Sequence, residues 1–297
     1  MRLIHCQWPD IKVPVDFKVI SDDPSQLSQN EKENLEIYIP KYMGGPKVWG
    51  EIANFPNLKV VQLLMAGYEE ALPHMRKGVR LCNARGVHDQ STAELGIALM
   101  ASHFLGIKGY IKNMESGKWD GSRRDSLYGK KVAIIGAGSV GTRIKEMLDV
   151  FQVECTFFAR SARAGVHSIS ELPTKISKFD AVVLILPLTS ESRHLISKRE
   201  LSLMKPGSLL VNLARGPVVK TDDLVEVLKG GAISAALDVT DPEPLPSDHE
   251  LWGLPNVIIS PHVGGNSSAF EPQARKFLEE QISRYASKGE LINEIDF

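Results

Sequence analysis

Cysteine is scarce, neither sign of charge dominates, and no long apolar run is present. The three cysteines, Cys6, Cys82 and Cys155, lie far apart without metal-ligand spacing, which argues against a structural metal and suits a reducing compartment. They are expected as small core residues. Lysine plus arginine (35) and aspartate plus glutamate (36) cancel to a net charge of −1, so no electrostatic footprint for nucleic acid or an anionic membrane is visible. The opening apolar stretch is stopped early by Trp8-Pro9-Asp10, and no run approaches the ~20 residues of a membrane helix. The chain is therefore read as cytoplasmic. With 297 residues, 43% hydrophobic and 24% charged, it is long enough for one large or two ordinary globular domains.

What the sequence does have is a strand running into glycines. Val132 to Ile135 are all apolar and lead into Gly136-Ala137-Gly138-Ser139-Val140-Gly141, after which Thr142 to Val150 is helix-compatible. Strand, tight turn and helix in that order make a dinucleotide site. Gly136 serves the turn, Gly138 lets a pyrophosphate approach the backbone, and Gly141 allows close helix-to-strand packing, while the exposed N–H groups and positive helix end hold the phosphates. The plainer reading is a glycine-rich turn of some other α/β protein.

Residues 1 to about 90 alternate short β-like runs (3–5, 17–20, 35–39 and 58–64) with polar or helical stretches, as a small parallel α/β unit would. Within it, Leu64-Met65-Ala66-Gly67-Tyr68 is a strand end opening into a small-residue turn that could offer N–H groups to an anion. Ser91-Thr92-Ala93-Glu94 has the spacing of a capping box and predicts a helix over 95–107, with Leu95, Leu99 and Phe104 among its buried positions. The polar stretch 117–127 reads as a surface loop in which Trp119 packs. From Lys130 onward strands (153–158, 181–186, 208–213, 233–237 and 257–260) alternate with helices (198–204 and 221–229), the pattern of a doubly wound parallel sheet. Asp222 and Asp223 stand in a first helical turn, where the helix dipole favours them. The amphipathic stretch 271–288 could return to the first unit. The reading is thus a Rossmann-type cofactor domain over 93–265 and a smaller flavodoxin-like α/β substrate domain over 1–92 that 266–297 rejoins.

In open α/β sheets ligands sit beyond the carboxyl ends of the strands. Arg215, Asp238 with Glu243 beyond it, and His262 follow three successive strands, on the edge where the glycines open. Each has a plainer role available: a structural charge, a turn residue, a packing histidine. Together beside a phosphate loop they fit hydride transfer coupled to proton transfer. An imidazolium has its pKa near ~6.5, close to working pH, and a carboxylate beside it (Glu243) would raise that value. Arg215 offers a planar fork of donors for a substrate carboxylate and a polarised carbonyl. Asp238, nearest the sheet, is better placed to hold a nicotinamide than to move protons.

The segments Val211-Asn212-Leu213-Ala214-Arg215-Gly216-Pro217, Ala236 to Pro246 and Ser260-Pro261-His262-Val263-Gly264-Gly265 resemble the signatures of the D-isomer-specific 2-hydroxyacid dehydrogenases, as do Leu186-Pro187-Leu188-Thr189 and Asn83 to Gly86 with Ala93-Glu94. The similarity runs from Leu58 to the end and is poor over the first fifty or so residues. It implies Arg215 as substrate binder, Glu243 as the partner of the histidine, and His262 as general acid/base. It also implies Asp238 at the nicotinamide carboxamide and the backbone around Ala66 and Gly67 at the substrate carboxylate. Cofactor contacts are implied at Gly136, Gly138, Ser139, Val140, Gly141, Pro187, Thr189, Ala214, His262 and Gly264. Family members have a discontinuous catalytic domain, a cleft that closes on substrate, and usually a homodimer built through the cofactor domain.

One departure matters. NAD-dependent members end the second strand of the cofactor domain in an acidic residue that binds the ribose hydroxyls, whereas here the strand ends Phe158-Ala159-Arg160-Ser161-Ala162-Arg163. Arg160 and Ser161, with Arg163 nearby, could bind a 2′-phosphate instead, which predicts NADP(H) over NAD(H). The expected activity is reduction of a small 2-oxo acid of the glyoxylate or hydroxypyruvate type. A non-catalytic dinucleotide-sensing protein of the same fold is the alternative, and the joint presence of Arg215, Glu243 and His262 favours the enzyme. Formate or phosphite oxidation ranks below both, since formate oxidation needs no proton donor and relatives doing it carry glutamine at the position of Glu243.

Overall fold

The computed structural model describes residues 1–297. Its elements in chain order begin with β1 (Arg2–His5), β2 (Phe17–Ile20), α1 (Gln29–Asn34), β3 (Leu35–Tyr38), α2 (Lys47–Gly50), β4 (Val60–Gln62) and β5 (Arg80–Cys82). Next come α3 (Asp89–Phe104), α4 (Ile107–Glu115), β6 (Lys131–Ile135), α5 (Ser139–Asp149), β7 (Glu154–Ala159), β8 (Val166–Ser168), α6 (Leu172–Lys175), β9 (Ala181–Leu184) and α7 (Lys198–Leu203). The chain closes with β10 (Leu209–Asn212), α8 (Thr221–Lys229), β11 (Ser234–Leu237), β12 (Val257–Ile259), α9 (Phe270–Lys288) and β13 (Glu294–Ile295). Two compact units result, Met1–His88 with Ser268–Phe297, and Asp89–Ser267.

The first unit is a six-stranded sheet in the order β13-β5-β4-β3-β1-β2, parallel throughout except for β13. Order β2-β1-β3-β4-β5 is the flavodoxin-like winding. Alternation sends Ile4 and Ile37 to one face and Leu3 and Tyr38 to the other. Helix α9 closes the first face with Phe270, Ala274, Leu278, Ile282 and Tyr285, a stripe at helical spacing that buries apolar area against β1 and β3. Its carboxyl end stops at Gly289, whose φ of +67° suits a residue without a Cβ.

The second unit is a seven-stranded, wholly parallel sheet in the order β12-β11-β10-β9-β6-β7-β8. Its central strands are buried on both faces, hence their unbroken apolar runs: Ile134 and Val183 face one layer, Ile135 and Leu184 the other. Helices α3 and α5 cover the first layer through Leu99, Met100, Ile144 and Leu148, and α8 covers the second through Leu224 and Leu228. The strand order reverses between β6 and β9, the topological switch point at which such sheets take ligands. This is the doubly wound architecture the sequence predicts. No helix is long and apolar enough to cross a membrane.

Three expectations are corrected. Helix α3 begins at Asp89, so Ser91 stands within its first turns and is not an N-cap, and Glu94 instead accepts from Gln90 Nε2 at 2.7 Å. That helix ends at Phe104, because Gly106 takes φ +70° and restarts the chain as α4. Trp119 does not pack: it is 98% exposed in its loop. Of the cysteines, Cys6 and Cys82 are buried and Cys155 is partly so, all unpaired.

Candidate active site

Everything in the cofactor half of the site follows from how β6 ends. Gly136 N–H donates to Phe158 O at 2.8 Å, which turns the chain at φ +125°, and a Cβ there would lie 2.0 Å from Ile185 O. Only glycine meets both demands. A Cβ on Gly141 would lie 2.2 Å from Gly136 O, so the first turn of α5, which holds Ser139 and Val140, can press against the strand end only without a side chain there. Gly138 differs: nothing lies within 4 Å of its missing Cβ, and it is the N-cap of α5 with no side-chain cap. The open space therefore faces a helix N-terminus with unsatisfied N–H groups, the setting in which a phosphate binds.

A pocket of about 380 Å³ opens there, walled by the glycine turn, the end of β7 and the loop after β9. Its size lies in the range of small-molecule sites, and the residues present fit one half of a dinucleotide. Gly136, Gly138, Arg160, Pro187 and Thr189 line it. The loop wall is fixed by buried Ser192, whose Oγ accepts from Thr189 N–H at 2.7 Å and donates to Pro187 O at 2.8 Å. Arg163 donates to Ala137 O at 3.1 Å, which ties the turn after β7 to the glycine turn. The end of β7 itself carries no carboxylate, but Glu191 Oε2 lies 3.7 Å from Arg160 Nη1 in the same pocket wall. It comes from the loop after β9, which the end of β7 does not reveal.

Asp238, Ala214, His262 and Gly264 do not line this pocket. They gather with Arg215 and Glu243 at the ends of β10, β11 and β12. Buried Asn212 shapes the first loop by accepting from Ala214 N–H and donating to Arg215 O, both at 3.1 Å. The Arg215 guanidinium, partly buried, donates to Ala214 O at 2.8 Å. A Cβ on Gly216 would stand 1.8 Å from Thr240 O, so the loop of Arg215 lies directly on the loop that leads to Glu243.

His262 Nδ1 and Glu243 Oε1 are 2.5 Å apart. Glu243 is held below the ordinary carboxylate range: burial pushes it up, but its bond to His262 and the charges of His262 and Arg215 prevail. An ionised carboxylate can only accept, so Nδ1 donates and Nε2 is left to exchange protons. His262 is held above the ordinary imidazole range, first by that bond, against the cost of burial, and then by the charges of Glu243 and Asp238, with Arg215 opposing.

The backbone of His262 is in the left-handed region, φ +53°, a conformation that needs outside support. Asp238 provides it. Its carbonyl accepts His262 N–H at 2.7 Å, Oδ1 accepts Ser260 Oγ–H at 2.7 Å and Val263 N–H at 2.9 Å, and Oδ2 accepts Gly264 N–H at 3.0 Å. Sequence reasoning assigned Asp238 only to the nicotinamide, and the structure adds that it positions the imidazole. Asn212, Ser192, Ser260 and Glu191 were all missed. An asparagine at a strand end, able to accept from the main-chain N–H two residues on, was a readable sign of the first; Ser192 acts within its own loop, and Ser260 and Glu191 depend on contacts between loops.

Ala66 and Gly67 belong to the first unit. Their turn is held by Asn83 Nδ2 donating to Ala66 O at 2.8 Å and by Ala84 N–H donating to Met65 O at 2.9 Å.

A family model described as D-isomer specific 2-hydroxyacid dehydrogenase, NAD binding domain, matches residues 97–264. A glyoxylate reductase of Thermofilum pendens is 33% identical over 235 residues, which span 74% of this chain and 69% of that one. Glyoxylate/hydroxypyruvate reductase B of Pectobacterium atrosepticum is 32% identical over 225 residues, 70% of each chain. Among solved structures, a D-isomer specific 2-hydroxyacid dehydrogenase family protein from Aeromonas salmonicida has the same fold, with a TM-score of 0.86 at 24% identity over 99% of both chains.

Proposed function

The chain belongs to the D-isomer specific 2-hydroxyacid dehydrogenases, and from that premise we propose that it reduces a small 2-oxo acid of the glyoxylate or hydroxypyruvate kind with NADP(H). The observation that carries the enzymatic reading is the 2.5 Å pair of His262 and Glu243 beside Arg215, since a protein that only senses a dinucleotide needs no charged imidazole there. Bound NADPH would supply the hydride, and the chain's residues would do the rest. Arg215 would turn its fork of donors to the substrate carboxylate and carbonyl oxygen. His262 would give the Nε2 proton to that oxygen, or take one from a hydroxyl in the reverse direction, while Glu243 holds Nδ1. The family resemblance adds the Ala66 and Gly67 backbone as donors to the substrate carboxylate. The glycine turn, Ser139, Val140, Pro187, Thr189, Ala214, Asp238 and Gly264 are proposed cofactor contacts.

The choice of NADP(H) rests on Arg160 and Ser161 at the end of β7, where a 2′-phosphate can be met by charge-assisted donors. Assays of a panel of 2-oxo acids with both cofactors test it. NADPH should give the higher kcat/KM, and Arg160→Ala should lower the NADPH value by about tenfold or more, the worth of one charge-assisted bond, with little effect on NADH. Equal values with the two cofactors count against the assignment, and activity with no 2-oxo acid would favour the non-catalytic alternative. The three unpaired thiols agree with a cytoplasmic site of action.

We further infer a homodimer built through the second unit. Helix α4 and the following loop expose Ile111, Met114, Trp119 and Tyr128, a larger run of apolar side chains than a solvated helix needs. Sedimentation should give twice the monomer mass, and Met114→Glu with Trp119→Ser should give the monomer. A monomeric parent chain would end this inference.

A further inference from the structure

The carboxylate that is missing from the end of β7 reaches the pocket from another loop. Glu191 and Arg160 line the same wall, 3.7 Å apart, and their side chains are 66% and 81% exposed. So exposed a pair contributes little to folding, and neither partner is held by it. The base beneath Glu191 is firm, because Ser192 pins Thr189 and Pro187. An exposed carboxylate on a hydrogen-bonded loop thus stands beside the one guanidinium in the pocket wall.

We propose that Glu191 sets how strictly this pocket chooses between the two dinucleotides. It rests on the reading above, in which Arg160 receives the 2′-phosphate. The physical case has two sides. A ribose 2′-phosphate arriving at Arg160 must share the guanidinium with Glu191 and meets a like charge, which opposes its binding. A ribose that keeps its hydroxyl can donate to the same carboxylate, the service an acidic residue at the strand end performs in NAD-binding sheets. Arg160 and Glu191 therefore pull in opposite directions, and the selectivity of the chain is their difference. Glu191 is in this sense a specificity residue and takes no part in proton transfer.

Calorimetric titration of the purified full chain with NADP⁺ and with NAD⁺, without substrate, tests the idea in the parent and in Glu191→Gln. The amide keeps the size of the side chain and removes its charge. Glu191→Gln should bind NADP⁺ about fivefold more tightly, the upper end of coupling between exposed charges, and NAD⁺ more weakly, with an unchanged melting temperature. If Glu191→Gln leaves both affinities where they were, or moves them together, Glu191 is an ordinary surface partner of Arg160 and the proposal falls. The two readings separate cleanly. A parent that prefers NADP⁺ and an unaltered variant keep the Arg160 assignment and overturn this one. A parent without preference and a variant that acquires one for NADP⁺ keep this proposal and overturn the preference of the parent chain for NADP(H).

Discussion

Replacing His262 by asparagine is expected to lower kcat/KM for 2-oxo acid reduction by about 10²- to 10⁴-fold, the range supplied by a positioned general acid, while the fold stays near that of the parent. Asparagine is the informative choice because of the backbone. At φ +53° most side chains are strained, and asparagine is among the few that tolerate the left-handed region. The loop is anchored through Asp238 to main-chain N–H groups and Ser260, none of which involves the imidazole. What the substitution removes is the proton carried on the ring. Retained activity would sink the assignment, and a collapsed melting temperature would show that the ring has a structural duty that the hydrogen bonds do not reveal.

The Glu243 contact adds a pH signature to the same experiment. Because His262 is held above its ordinary value of 6.5, chiefly by its bond to Glu243, reduction should persist above that pH and fail as pH rises through the elevated value. Glutamine at position 243 keeps a hydrogen-bond acceptor but no charge, so the alkaline limb of kcat/KM should move to lower pH. For stability, the histidine's contribution has the same sign and the carboxylate's the opposite one. The raised histidine contributes below its unfolded value and loses that contribution as pH rises through its folded one, whereas the depressed Glu243 contributes above its unfolded value of 4.5 and loses it as pH falls. The pair therefore helps the fold only between those limits, and weakly, since both side chains are about two-fifths exposed. An unmoved alkaline limb in Glu243→Gln would mean that the two groups do not titrate together.

These side chains were legible because each follows an apolar run that can only be a buried strand. Val132 to Ile135, Ala181 to Leu184 and Leu209 to Asn212 announce the sheet, and the residue after each strand is then at its carboxyl edge by topology. Strands β5, β8 and β13 were not legible. They have three, three and two residues, too few for a period, and exist because a neighbouring strand offers a ladder. Helix α4 was hidden by Gly106, whose positive φ breaks a stretch that otherwise continues α3. The site divides in the same way: Arg215, Glu243 and His262 are named by local motifs, whereas Glu191 beside Arg160, Gly216 against Thr240 and the anchoring duty of Asp238 arise only when distant loops touch. Trp119 was misread because a large aromatic in a loop was taken as buried, and its exposure directs attention to the surface around α4.

Alanine at Gly136 should damage fold and binding together, and alanine at Gly138 should damage binding alone. The first would force a Cβ to within 2.0 Å of Ile185 O and 2.6 Å of its carbonyl carbon, at φ +125°. Neither strand can yield, since Ile135 and Leu184 are buried and laddered to each other across β6 and β9. Left-handed strain of about 1–2 kcal/mol and overpacking of about 1–3 kcal/mol add to roughly 2–5 kcal/mol, a large share of a typical stability of about 5–15 kcal/mol. The second meets no atom within 4 Å and has φ −94°, which any L-residue adopts, so its melting temperature should hold or rise slightly. Its new methyl would nonetheless occupy the space beside the uncapped start of α5, and dinucleotide affinity should fall. Thermal unfolding and NADP⁺ titration of both variants give four values. Equal affinity in Gly138→Ala and the parent would mean that the phosphates bind elsewhere, because nothing else fills that space.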